Sequence, residues 1–108
     1  MLEGFWILKI LPPPVASGGV ILFMNGKVFG GDSGFTWVGV YTVNDRLLKA
    51  RVRVHNFDTD IKSVLGVEGD YDMHFSGTLD GTLITGTAMV ANQPQHSLAI
   101  RIEKYSEL

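Results

Sequence analysis

At 108 residues, with nine Lys and Arg against eleven Asp and Glu, the chain is sized for one domain around one core. Zero cysteines exclude disulfides, cysteine-ligated zinc, thiolate catalysis and iron–sulfur clusters. A composition 45 % apolar and 19 % charged argues against disorder. The near balance of charge is unlike a dedicated nucleic-acid binder, which is usually strongly basic.

The chain opens with Glu3 where a secretory leader carries basic residues, and Lys9 interrupts its short apolar stretch. A cleaved leader is therefore not expected, although Val15-Ala16-Ser17 has the small-residue character of a cleavage site. No apolar run reaches the 18 or so residues of a membrane helix. The expectation is a cytoplasmic protein of bacterial type.

The dominant periodicity is two, the period of a strand with one buried face. Eight strands are predicted, at 5–11, 18–24, 27–31, 35–43, 46–55, 69–79, 82–91 and 97–105. Pro12-Pro13-Pro14 cannot donate ladder hydrogen bonds and reads as a rigid loop between the first two. Asn25-Gly26 and Asp80-Gly81 tolerate the positive φ of tight hairpin turns, Asn44-Asp45 is a weaker turn, and Asn92-Gln93-Pro94-Gln95 closes another.

Three strands alternate cleanly. Leu48, Ala50, Val52 and Val54 oppose Lys49, Arg51, Arg53 and His55; Tyr71, Met73, Phe75 and Leu79 oppose Asp72, His74, Ser76 and Thr78; Leu98, Ile100 and Ile102 oppose Arg101 and Glu103. Within 57–66, Ile61, Val64 and Leu65 have i, i+3, i+4 spacing after Asp58 or Thr59 and before Gly66. That spacing predicts one short helix between strands 5 and 6, able to plug a barrel end. The fold class expected is all-β: a single eight-stranded antiparallel up-and-down barrel over 1–108, with that one helix.

The strands at 18–24 and 35–43 are apolar on both faces: Ile21 and Phe23 against Val20, Leu22 and Met24; Val38 and Val40 against Phe35, Trp37 and Tyr41. A doubly apolar strand needs cover outside the barrel as well, so a homodimer is expected.

No catalytic, cofactor or metal constellation is legible, and an enzyme is not expected. His55, His74 and His96 fall on different elements without ligand spacing. Ser33, Ser76 and Ser97 sit in no nucleophile elbow. Gly30-Gly31-Asp32-Ser33-Gly34 precedes a strand, so it lacks the helix N-terminus of a phosphate loop. An eight-stranded barrel can hold one small ligand, and Trp6, Trp37, Tyr41, Tyr71, Met73, Phe75 and Met89 are the candidate lining of such an apolar pocket.

The basic row Lys49, Arg51, Arg53 and His55, with Arg46 beside it, could follow phosphates. It reads better as a solvated strand face laced with cross-strand acids, and no nucleic acid is expected as partner. Asp58, Asp60, Glu68, Asp70 and Asp72 follow it, lack the ligand pattern of a calcium loop, and can pair with that row.

Gly4-Phe5-Trp6 resembles the Gly-x-Trp signature of lipocalins and other calycins. That resemblance implies that Trp6 closes one barrel end with a late-strand arginine over it, a role open to Arg101. The order Gly4 to Trp6, Gly30-Gly31-Asp32, Gly39-Val40, Ile61, Ser63-Val64-Leu65, Glu68 and Asp70-Tyr71 resembles the GrlR-like negative regulators of type III secretion. This second resemblance implies a small dimeric calycin-like barrel that acts by binding a regulatory protein, and in the best-studied members an acidic turn captures a transcriptional activator. The corresponding candidate partner-binding turn here, Val43, Asn44, Asp45 and Arg46, carries one acid beside one base, so that electrostatic handle is absent. The functional expectation is a non-enzymatic regulatory binding protein, with a carrier or sensor of an apolar ligand as the alternative.

Overall fold

A computed structural model describes residues 2–11 and 18–108. The expectations for Pro12 to Pro14 and for Val15 to Ser17 lie outside the described residues. Eight strands run in chain order: β1 (Gly4–Leu11), β2 (Gly18–Met24), β3 (Lys27–Gly31), β4 (Phe35–Asn44), β5 (Leu47–Asn56), β6 (Tyr71–Asp80), β7 (Leu83–Val90) and β8 (Gln93–Ser106). Each pairs antiparallel with its chain neighbours, and β1 pairs with β8 to close the barrel. Closure leaves no edge strand.

The period-two rows set the inside. Leu48, Ala50 and Val54 on β5, Ile84, Ala88 and Val90 on β7, and Ile100 and Ile102 on β8 are buried, while their neighbours in sequence are largely exposed. Burial of each large apolar side chain contributes about 1.5–3 kcal/mol, and these rows carry most of the interior.

The two barrel ends differ because their turns differ. At one end the hairpins are tight: Asn25-Gly26, Asp45-Arg46 and Gly81-Thr82. Asn25 (φ 52°), Gly26 (φ 77°), Asp45 (φ 61°) and Gly81 (φ 63°) all take the left-handed backbone such turns demand. This end is plugged by Leu2, Trp6, Phe23, Leu48, Ile84 and Ile102. Trp6 is fully buried, and its Nε1 donates to the Leu2 carbonyl at 2.9 Å. Its ring meets Phe23 edge-on at 6.0 Å, and Phe23 meets Tyr41 the same way at 5.1 Å. The opposite end, the mouth, carries the longer connections 32–34 and 57–70.

Three expectations are corrected. No helix is present among the described residues, so the predicted turn of helix between strands 5 and 6 does not form. Residues 57–66 fold instead into two separate turns, with Ile61 N–H bonding Asp58 O and Gly66 N–H bonding Ser63 O, each at 3.0 Å. The Asp58 carboxylate takes the Asp60 amide and the Ser63 hydroxyl takes the Leu65 amide, both at 3.1 Å. Such local bonds satisfy donors that a helix would need.

The last hairpin turns at Ala91-Asn92, not at Asn92 to Gln95: Gln93 already pairs with Val90, and the next register pair is Met89 with Ser97. Pro94, Gln95 and His96 form a bulge between those pairs, consistent with the amide proline lacks. The cation over Trp6 is not Arg101, which points outward and bonds Glu103 at 3.0 Å. Lys104 holds its ammonium 5.6 Å from the Trp6 ring centre, because 100, 102 and 104 share the inward parity of β8.

Candidate binding cavity

Between the plug and the mouth the barrel encloses a cavity of about 300 Å³. Its walls are mainly apolar, with Leu8 and Ile10 from β1, Trp37 from β4, Val52 from β5, and Tyr71, Met73 and Phe75 from β6. Small inward residues leave the space open, since Ala50 and Ala88 stand at lining positions where larger side chains would fill it. The indole of Trp37 lies along the wall over two glycines, for a methyl group at Gly30 would collide with Trp37 Nε1, and one at Gly19 would lie 2.8 Å from the ring. Trp37 Nε1 is itself buried without a hydrogen-bond partner among the described residues, a cost of about 1–3 kcal/mol against which the packing of the ring must be set.

The mouth is covered by the 57–70 connection, which lines the cavity with Ile61, Lys62, Ser63, Val64 and Leu65. Contacts from three sides hold it down. Asn56 Nδ2 donates to Gly34 O at 3.1 Å and to Ile61 O at 3.2 Å. His96 Nδ1 donates to Leu65 O at 3.1 Å, from the bulge in β8. The Tyr71 hydroxyl lies 3.1 Å from Ser63 Oγ, and Ile61 packs directly onto Gly34. Burial raises the Tyr71 phenol above its ordinary range, the Ser63 hydrogen bond partly offsets this, and the nearby Asp32 charge adds to the rise. Tyr71 is therefore a neutral hydroxyl at the rim, facing an apolar interior. Asp32, whose carboxylate accepts the Gly34 and Phe35 amides at 2.9 Å, shares that rim.

The candidate pocket residues separate by position. Trp37, Tyr71, Met73 and Phe75 line the cavity. Trp6 and Tyr41 belong to the packed interior at the plug. Met89 has the outward parity of β7 and lies in a groove on the outer wall. The turn Val43, Asn44, Asp45 and Arg46 is exposed at the plugged end, where Arg46 Nη2 stands 3.6 Å from Asp80 and its Nε bonds Leu79 O at 3.1 Å.

The basic face divides in two. Arg53 pairs with Asp72 at 3.2 Å and His55 with Asp70 at 3.0 Å, whereas Lys49 and Arg51 stand opposite Ser76 and His74 on β6. Sequence reasoning does not single out Asn56 or Lys104, and it weighs His96 only as a metal ligand. The inward parity of 104 was the available signal for Lys104, while His96 was hidden by the unforeseen bulge. Among the described residues no group of three or more His, Asp or Glu could hold a metal ion.

Neither a known protein-family profile nor any curated protein matches the chain. The architecture is an eight-stranded antiparallel closed barrel, consistent with a calycin-like fold. Nothing in that architecture singles out the GrlR-like regulators among such barrels.

Proposed function

We propose that this protein is a non-enzymatic carrier or sensor that holds a small apolar ligand inside its barrel. The observation that carries this reading is the cavity itself: about 300 Å³, walled by aromatic and aliphatic side chains, with a few polar groups confined to its mouth. That volume is at the small end of known ligand pockets, about 300–1,000 Å³, so the occupant is compact. The test is native mass spectrometry of protein from its own cells, joined to titration with a small apolar fluorophore. Ala88→Leu places a larger side chain at a lining position and should abolish binding without lowering the melting temperature. Unchanged fluorophore binding in that variant, or none in the parent, would sink the reading.

A second reading is a regulatory binding protein of GrlR-like type, working as a homodimer through its outer surface. It is favoured by the outer face of β1–β4, where the register aligns Phe5, Leu22, Phe29 and Val38 in one row, with Val20, Met24 and Val40 around it. Apolar patches of this kind mark interaction surfaces. Light scattering behind gel filtration would find a dimer that Val38→Asp converts to monomer, and a monomeric parent would remove this support.

A further inference from the structure

The division of the basic row has a chemical consequence. Asp72 pairs with Arg53 and Asp70 hydrogen-bonds His55, but no acid pairs with Lys49 or Arg51 among the described residues. The register neighbours of Lys49 are Thr42 on β4 and Ser76 on β6, and those of Arg51 are Val40 and His74. Neither cation makes an ion pair or a side-chain hydrogen bond among the described residues. They project from the same strand face two residues apart, a separation of about 7 Å, so each raises the cost of the other.

Both line a groove of about 530 Å³ on the outer wall of β4–β7. The groove spans four strands, about 14 Å across. Its outward lining is of three kinds: the cations Lys49 and Arg51 with the imidazole of His74, the hydroxyls of Thr42, Ser76 and Thr87, and two apolar lips, Val40 and Met89, on opposite sides.

We infer that this groove docks an acidic segment of a partner protein, with carboxylates on Lys49 and Arg51 and an aliphatic side chain against Val40 or Met89. Charge complementarity selects the sign of the partner, and the hydroxyls supply donors for its remaining oxygens. The closed barrel offers no free strand edge, so the segment binds through side chains rather than by joining the sheet. Nucleic acid fits less well. The outward lining presents no Phe, Tyr or Trp ring and only the small imidazole of His74 for bases to stack on, and two cations are a short track for a phosphate backbone. The inference is independent of the interior ligand, since the groove and the cavity lie on opposite sides of the barrel wall.

Fluorescence anisotropy with a labelled peptide of repeating Glu-Leu-Asp-Ser units tests it, using the full chain at low salt. Lys49→Gln and Arg51→Gln should each weaken binding by about ten-fold, while Lys62→Gln, which removes an equal charge at the mouth, should leave it within about two-fold. Amide resonances of His74, Thr87 and Met89 should shift on titration. Circular dichroism checks that each variant is folded, and Arg51→Lys, which keeps the charge, serves as a milder substitution at the same site. An equal loss with Lys62→Gln would reduce the effect to net charge and overturn the assignment. So would absence of peptide binding, or tighter binding of a single-stranded oligonucleotide than of the peptide at the same salt.

Discussion

Replacing Trp6 with phenylalanine probes what holds the plugged end together. The indole is fully buried, so the smaller ring leaves a void. With about 40 Å³ lost, the cavity contribution is about 1 kcal/mol. The Leu2 carbonyl loses the only side-chain donor described for it, the Trp6 N–H at 2.9 Å; stranding a buried acceptor costs about 1–3 kcal/mol. The Lys104 ammonium, 5.6 Å from the ring centre, exchanges an indole for a weaker aromatic partner, a loss of about 0.5 kcal/mol. Together these predict a destabilisation of about 3 kcal/mol, or about 15 °C in melting temperature for a domain of this size. Urea unfolding followed by far-ultraviolet circular dichroism measures it without relying on the missing fluorophore. A midpoint change equivalent to less than about 1 kcal/mol would refute the reasoning, because the carbonyl would then have been satisfied elsewhere or the void closed by collapse.

Three further outcomes follow from the geometry. Gly39→Ala should cost about 3 kcal/mol or more, because the new methyl group meets the Arg51 carbonyl oxygen and the Val52 Cα, which are backbone atoms that cannot yield; a near-neutral urea midpoint would contradict the β4–β5 approach. Asn56→Ala removes the side-chain bridge from β5 to Gly34 O and Ile61 O, leaving the Phe57 and Asp58 amides as the hydrogen bonds to Gly34 O. It should lower stability by about 1–2 kcal/mol and speed amide exchange across 58–66, and unaltered exchange there would deny Asn56 its anchoring role. Asp70 is held below the usual carboxylate range, chiefly by the hydrogen bond with His55 and then by the Asn56 amide, with burial opposing. A depressed folded value means the contribution is present above the unfolded value and lost as pH falls through the folded one, below about pH 4. Asp70→Asn should therefore flatten the acid limb of the stability profile in that window, and parallel profiles for parent and variant would rule this out.

Strand alternation made most of the fold legible before any coordinate. On β5, β6 and β8 the rows of Leu48 to Val54, Tyr71 to Leu79 and Leu98 to Ile102 do face inward. A one-residue slip would turn each row to solvent, and that makes such rows informative. What escaped was decided by contacts remote in sequence or by very local competition. The spacing of Ile61, Val64 and Leu65 suits a helix, but the segment has too little length to repay nucleation, and Asp58 and Ser63 take its amides first. Pro94 reads as part of a hairpin turn over Asn92 to Gln95, yet a proline interrupts a strand as readily by a bulge as by a turn. At the site, residue type suggested the aromatic lining, while the emptiness of the cavity depends on where Ala50 and Ala88 meet bulkier neighbours across the barrel. The unequal pairing of the basic row is likewise a matter of register: Asp72 lands opposite Arg53, and Ser76 opposite Lys49.

Closure by β1 against β8 also fixes the order of events as the chain is made. Phe5 lies beside Ser106 and Trp6 beside Lys104, so the first strand synthesised cannot find one of its two partners until the last has left the ribosome. Until then β1 and β7 each present an unsatisfied ladder, on opposite sides of an open curl of sheet. Joining segments so far apart must meet a large entropy of loop closure before any contact rewards it. The β1–β8 seam is thus the pairing with the greatest loop-closure cost in the barrel, and a substitution in β8 that leaves the finished barrel almost as stable is expected to lower the yield of folded protein.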